Sequence, residues 1–207
     1  MPQFPLQLVV YPGEALNLHI FEPRYRQLIN EVHASGETFG IPAFIDKEIM
    51  EIGTEVRLLS IEKTFESGEM DVKTVGVGIY QINEFYDKAP DKLYAGAETE
   101  KIEIEFETDV VLATKVREGI RKLYQILEIN RTLPEELSDF QTYDLAHHIG
   151  CNLEQEYDIL TIPDEYGRLE YVMEHLEKLL PIVEEAENLR RKVQMNGHFK
   201  NLLPPEF

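Results

Sequence analysis

Apolar residues fall into two regimes along the chain, and the change comes near residue 108. Before it they form short runs and alternations punctuated by turn residues. After it they recur at helical spacing. Phe4 to Tyr11 is an apolar run closed by Pro12-Gly13 and reads as a buried strand, with Leu16 to Phe21 as a second. Tyr25, Leu28, Ile29 and Val32 keep the spacing of one helical face, entered at Pro23 and ended near Gly36. Gly40 to Ile45 is a further apolar run. Residues 52–65 and 70–85 read as long strands joined through Glu66-Ser67-Gly68-Glu69, a hairpin signal. In the first of these the apolar phase slips by one residue between Leu58 and Leu59, which predicts a bulge. Ile102, Ile104 and Phe106 alternate with Glu103, Glu105 and Glu107, the pattern of a strand wet on one face. Curved antiparallel strands with one inserted helix predict a small, partly closed barrel.

Beyond residue 108, Val116, Ile120, Leu123, Tyr124 and Leu127 define one face of a helix of several turns. Thr132 with Glu135, and Ser138 with Gln141, each fit a capping box for a following helix that should end at Gly150. A last long helix starts after Pro163. Its seam runs through Leu169, Val172, Leu176, Leu179, Val183, Ala186 and Val193, and Pro181 is expected to kink or restart it. The fold expectation is α+β: a β-barrel lobe over 1–108 with an inserted helix, then a helical-bundle lobe over 109–207 with a long C-terminal helix.

Composition leaves that picture intact and narrows the partners. With 207 residues, 43% of them hydrophobic, the chain is long enough to bury a core without a metal or disulfide. Its formal charge is −19, and residues 1–108 hold nine basic against twenty acidic side chains. Such a surface repels phosphate backbones and anionic lipid, so neither nucleic acid nor a membrane is expected as a partner. The lone cysteine, Cys151, has no internal disulfide partner. Neither a secretory signal nor an apolar stretch of about 20 residues is evident, and a cytoplasmic location is expected.

Candidate chemistry is sparse. The sequence contains no G-x-x-x-x-G-K-[ST], G-x-S-x-G or H-E-x-x-H motif and no C-x-x-C pair. Gly76-Val77-Gly78 lies inside a strand pattern with no helix after it, which suits a strand bend better than a phosphate loop. His147, His148 and Cys151 lie close in sequence, but adjacent helical residues point about 100° apart, which favours packing over metal binding. No cofactor, metal or catalytic residue is expected, and the chain does not read as an enzyme.

One resemblance adds to this reading. Phe4-Pro5-Leu6, Pro12-Gly13, Leu16, Leu18 and the block His19-Ile20-Phe21-Glu22-Pro23-Arg24-Tyr25 resemble the opening signature of the LON N-terminal domain family. That family comprises the substrate-binding module at the front of ATP-dependent Lon protease and its stand-alone bacterial relatives. Ile52-Gly53-Thr54 looks like the family's glycine turn before a long hairpin, and Arg168 to Met173 looks like the start of its exit helix. Tyr80 departs from the basic residue often found near that position. The resemblance implies a PUA-like β lobe and a helical lobe without ATPase or peptidase domains. It implies binding of unfolded or partly folded polypeptides, in partnership with a protease as an adaptor or regulator of proteolysis.

Phe21, Glu22, Arg24 and Tyr25 are the substrate-binding candidates that the resemblance supplies. They also have structural work available: Phe21 and Tyr25 can bury aromatic area beneath the helix, and Glu22 with Arg24 can form a charge pair at its start. Two other classes of function stay open, an RNA-binding module of PUA type and a homo-oligomeric scaffold built on the 169–193 seam. The sequence does not fix the oligomeric state.

Overall fold

A computed structural model describes residues 1–137 and 140–199, with side chains through Gln194. Ser138, half of one expected capping box, lies outside the described residues. The chain forms two compact units, Met1–Glu107 with Gln141–Glu165, and Thr108–Phe140 with Tyr166–Phe207.

In the first unit six strands form one sheet: β1 (Pro2–Gln3), β2 (Ala15–Ile20), β3 (Phe39–Ile45), β4 (Glu48–Thr64), β5 (Met70–Tyr86) and β6 (Ala95–Ile102). The spatial order is β2-β5-β4-β3-β1-β6, and β6 also pairs with β5, so the pairings from β5 through β4, β3, β1 and β6 return to β5. All pairings are antiparallel except β1 with β3. The register of β4 against β5 shifts between Leu58 and Ser60, at the slip visible in the apolar phase.

Helix α1 (Pro23–Ser35) begins on a proline and ends on Gly36, whose left-handed φ of 74° closes the last turn as Gly36 N donates to Val32 O. Its buried face, Tyr25, Leu28, Ile29 and Val32, joins Phe4, Val10, Ile20, Phe39, Ile41, Val56, Met70 and Val72 in a single hydrophobic core. β3 turns into β4 through Asp46 and Lys47, both at positive φ, the geometry of a two-residue hairpin turn whose twist matches the strands. That turn sets Phe44 opposite Ile49.

Three expectations are corrected here. Phe4 to Tyr11 is not a continuous strand. Only Pro2–Gln3 is assigned to β1, and the chain then runs along β3 through Phe4 N to Gly40 O, Leu6 N to Pro42 O and Phe44 N to Leu6 O. Near residue 102 the strand lies earlier than expected, at Ala95–Ile102, and the segment after it makes a single bridge from Glu105 to Asp164. Among the described residues no α-helix leads to Gly150: residues 142–144 and 146–148 form two short 3-10 turns, although Gly150 does take a left-handed φ of 80°. The capping box that forms is Asn152 with Gln155, and it starts α2 (Leu153–Thr161), since an asparagine side chain accepts from the orphan N–H as serine or threonine does. Glu165 closes this part of the unit by accepting from both the N–H and the hydroxyl of Thr142.

The second unit is built from α3 (Val110–Ile126) and all but the first residue of α4 (Glu165–Phe199). Asp109 caps α3 by accepting from Leu112 N at 2.8 Å, and Ala113, Val116, Ile120, Leu123 and Tyr124 are buried, the face expected from spacing. Helix α4 is continuous through Pro181. Its seam is buried at Leu169, Val172 and Leu176, where Leu176 lies against Gly119, while its last member, Val193, is exposed, as is Leu189 outside the seam. Among the described residues no helix is long and apolar enough to cross a membrane.

Candidate functional site

The four signature residues separate into different environments, all in the first unit. Glu22 precedes α1 with an extended backbone, and its carbonyl accepts from Tyr25 N and Arg26 N. Its carboxylate does not cap the helix. It takes the guanidinium of Arg24, with Nε at 2.9 Å and Nη2 at 2.8 Å. The guanidinium sits over the Tyr25 ring, 4.5 Å from its centroid, and the ring stacks on Phe4 at 3.8 Å. Tyr25 is buried, and burial raises the pKa of its phenol. Phe21 is 60% exposed, with its ring 6.3 Å from that of His19, so of the two aromatic residues only Tyr25 buries its area under the helix.

Arg24 and Tyr25 line a cleft of about 290 Å³ together with Pro5, Phe44, Ile49, Phe85, Asp87 and Ala95. Each wall has a structural cause. Pro5 belongs to the segment laid along β3, and Phe44 and Ile49 are cross-strand partners beside the Asp46-Lys47 turn. Phe85 is near the end of β5 and Ala95 opens β6. Phe44 is the one exposed residue of an otherwise buried strand, on the face opposite the core residues Phe39 and Ile41, and beside it β4 carries the extra residues of a bulge, one β3 residue between Pro42 and Phe44 facing three between Ile49 and Gly53. The run Gly40 to Ile45 is apolar at every position and therefore reads as buried on both faces, which is why the sequence did not single out Phe44.

A second cleft, of about 310 Å³, is lined by Asn17, Leu18, His19, Glu62, Asp71, Val72 and Lys73. Its charges satisfy one another: His19 Nδ1 lies 2.7 Å from Asp71, and Lys73 Nζ 3.0 Å from Glu62. The first cleft is the one that contains three aromatic side chains, Tyr25, Phe44 and Phe85.

His147 is the centre of a further cluster in the same unit. Its Nε2 lies 3.2 Å from Glu14 and its Nδ1 2.9 Å from Glu156. Hydrogen bonding to Glu14, opposed by burial and aided by Glu156, raises its pKa to about 9. The neighbouring Tyr11 is buried and donates its hydroxyl to the Glu156 carbonyl at 2.8 Å. Burial pushes the Cys151 thiol up to about 12, opposite to what a nucleophilic cysteine requires. Both ring nitrogens of His147 face carboxylates, an arrangement for an ion pair. Among the described residues no group of three or more His, Cys, Asp or Glu could hold a metal ion.

Comparison with known proteins agrees with this architecture. Residues 1–178 match the model of the ATP-dependent protease La (LON) substrate-binding domain. Lon protease 2 of Syntrophobacter fumaroxidans is 22% identical over 206 residues, a match that covers 90% of this chain and 25% of that protein. The chain therefore spans about a quarter of the length of this curated relative. A Lon N-terminal domain protein from Xanthomonas campestris superposes with a TM-score of 0.63 at 23% identity, over 84% of this chain and 96% of that one. The N-terminal domain of Mycobacterium avium complex Lon protease gives 0.60 at 16%, over 85% of this chain and 97% of that one. These two structural likenesses speak to the fold. With the family model matched over most of its length, the chain belongs to the LON substrate-binding domain family.

Proposed function

We propose that this chain is a non-catalytic polypeptide-binding domain that holds apolar segments of unfolded or partly folded proteins and acts as an adaptor or regulator of proteolysis in the cytoplasm. The observation that carries the reading is the family match over residues 1–178. The cleft of Pro5, Tyr25, Phe44, Ile49 and Phe85 gives it a location, since a concave, partly apolar surface on a rigid sheet is what an extended guest requires. Tyr25 and Arg24 contact the guest, Glu22 holds Arg24 in place, and Phe21 offers exposed apolar area beside His19. The returning chain of strand pairings supports a PUA-like small barrel within a β lobe over 1–108; of the helical lobe expected over 109–207, residues 141–165 group with the β strands instead.

Fluorescence anisotropy with a labelled, permanently unfolded polypeptide tests this reading, with a single-stranded RNA of similar size in parallel. Saturable binding of the polypeptide alone is the expected result. Salt-sensitive binding of the RNA would replace it with the nucleic-acid reading, against which the charge of −19 speaks. A homo-oligomeric scaffold is the second reading, favoured by the exposure of Ile182, Leu189 and Val193 on α4. A monomer by light scattering would end it.

A further inference from the structure

We propose that the guest of the Tyr25 cleft is a polypeptide segment in which one bulky apolar side chain stands next to a lysine or arginine; this rests on the polypeptide-binding reading above. The cleft's volume, about 290 Å³, lies at the lower edge of ligand pockets, roughly 300 Å³, so it receives a single large side chain rather than a folded element. Its walls are mixed, nearly half polar, but the aromatic side chains Tyr25, Phe44 and Phe85 contribute to them, with Phe44 37% exposed and Phe85 half-buried. The cleft does not make an aromatic cage for a cation, because the Tyr25 ring is stacked on Phe4 and covered by Arg24. An apolar anchor fills the space instead.

Charge then decides what stands beside the anchor. Two charged residues line the cleft, Arg24 and Asp87. The Arg24 guanidinium is engaged twice by Glu22, so an acidic guest would have to compete with a bound carboxylate. Asp87 is exposed and enters no ion pair among the described residues, which leaves a carboxylate at the edge of the cavity open to a cation. The wider field has the same sign, with twenty acidic against nine basic residues over 1–108, and it steers basic segments toward this surface. The local pairing and the long-range field thus select the same guest.

The test uses three labelled peptides of equal length, each with a central phenylalanine, flanked by lysines, by serines or by glutamates. They are titrated into the full chain and into Asp87→Asn and Glu103→Gln variants whose thermal unfolding matches the parent. The expected order is lysine, serine, glutamate, with at least a tenfold span at low salt. Asp87→Asn should shrink that span several-fold, while Glu103→Gln, which removes an equal charge outside the cleft, should leave it nearly intact. An unchanged span in Asp87→Asn overturns the inference by assigning the preference to the overall field. Equal binding of all three peptides overturns the inference and leaves polypeptide binding standing. If no peptide binds, both fall together.

Discussion

The phenol hydroxyl of Tyr80 donates to the side-chain carbonyl of Gln3 at 2.6 Å, and neither residue has meaningful contact with solvent. The pair joins the N-terminal strand to the middle of β5, with Tyr80 lying over two glycines. A Cβ on Gly53 would stand 2.5 Å from the Tyr80 oxygen and 3.1 Å from the Pro42 backbone, and one on Gly40 would collide with Tyr80 and Gln3. Tyr80 therefore has a definite structural job at a position where the sequence resemblance expected a basic residue. Replacing Tyr80 by Phe strands the buried Gln3 carbonyl oxygen and is expected to cost about 1–3 kcal/mol, read from the midpoint of urea unfolding.

Gly53→Ala should cost at least as much, because the obstructing atoms belong to a ring locked by a hydrogen bond and to backbone. Gly76→Ala tests the same principle elsewhere. A Cβ there meets the Tyr11 carbonyl oxygen, since Gly76 exchanges backbone hydrogen bonds with Gly13 and Glu14 across a close approach. Losses of about 1–3 kcal/mol are expected at each site, whereas Gly78→Ala, whose nearest neighbour is a Glu55 side-chain oxygen at 3.7 Å, should be close to neutral at φ values open to alanine.

These contacts show what the sequence could and could not reveal. Helix α1 was legible because Tyr25, Leu28, Ile29 and Val32 bury one face and Pro23 and Gly36 mark its ends, all local signals. The β4–β5 hairpin was legible for the same reason, down to its bulge near Leu58. Strand β6 was not, since Ala95-Gly96-Ala97 has little apolar pattern of its own and is held by pairing with β1 and β5. The cleft was half legible. Arg24 and Tyr25 sit in a recognisable block, but the exposed side of β3 at Phe44 is hidden in an uninterrupted apolar run, its neighbour Ile49 is set by the β3–β4 turn, and Asp87 is brought near by the end of β5. Those placements depend on partners distant in sequence.

His147 gives the unit a pH dependence of defined sign. Its pKa when folded, about 9, lies above its ordinary value of 6.5, so the protonated ring bound by Glu14 and Glu156 favours the folded state. That stabilisation is complete below pH 6.5 and is lost as pH rises through about 9. Between about pH 6 and pH 10 the parent should lose more stability than His147→Gln, by about 1.5–3 kcal/mol, the range for hydrogen bonds to a charged group. Denaturation midpoints of both proteins at several pH values measure the difference, and parallel curves would remove His147 as its source.

Buried seam positions and exposed apolar positions further along α4 should respond differently to substitution. Leu176 is fully buried against Gly119, so Leu176→Ala is expected to destabilise by about 2–5 kcal/mol. A Leu176→Glu change would therefore report folding rather than association. Ile182 and Leu189 are 65% and 63% exposed, and Ile182→Glu with Leu189→Glu should leave the unfolding midpoint nearly unchanged. Only this second pair can interrogate self-association, through a shift in mass by light scattering.

The cleft itself is tested by removing apolar wall without disturbing the core. Phe44 is exposed in a strand whose other residues are buried, so Phe44→Ser should cost little stability, within roughly 1 kcal/mol. Tyr25→Ser would be uninformative, because Tyr25 is part of the core and its loss would loosen α1. If apolar segments bind here, Phe44→Ser combined with Phe85→Ser should weaken binding of an unfolded polypeptide at least tenfold in an anisotropy titration, since each deletes an aromatic wall worth about 1 kcal/mol or more. Phe21→Ser serves as the comparison: it removes an exposed aromatic residue that does not line the cleft. A loss of binding in Phe21→Ser equal to that in the double variant would relocate the guest to the surface beside His19, whereas undiminished binding in the double variant would remove the cleft as the site.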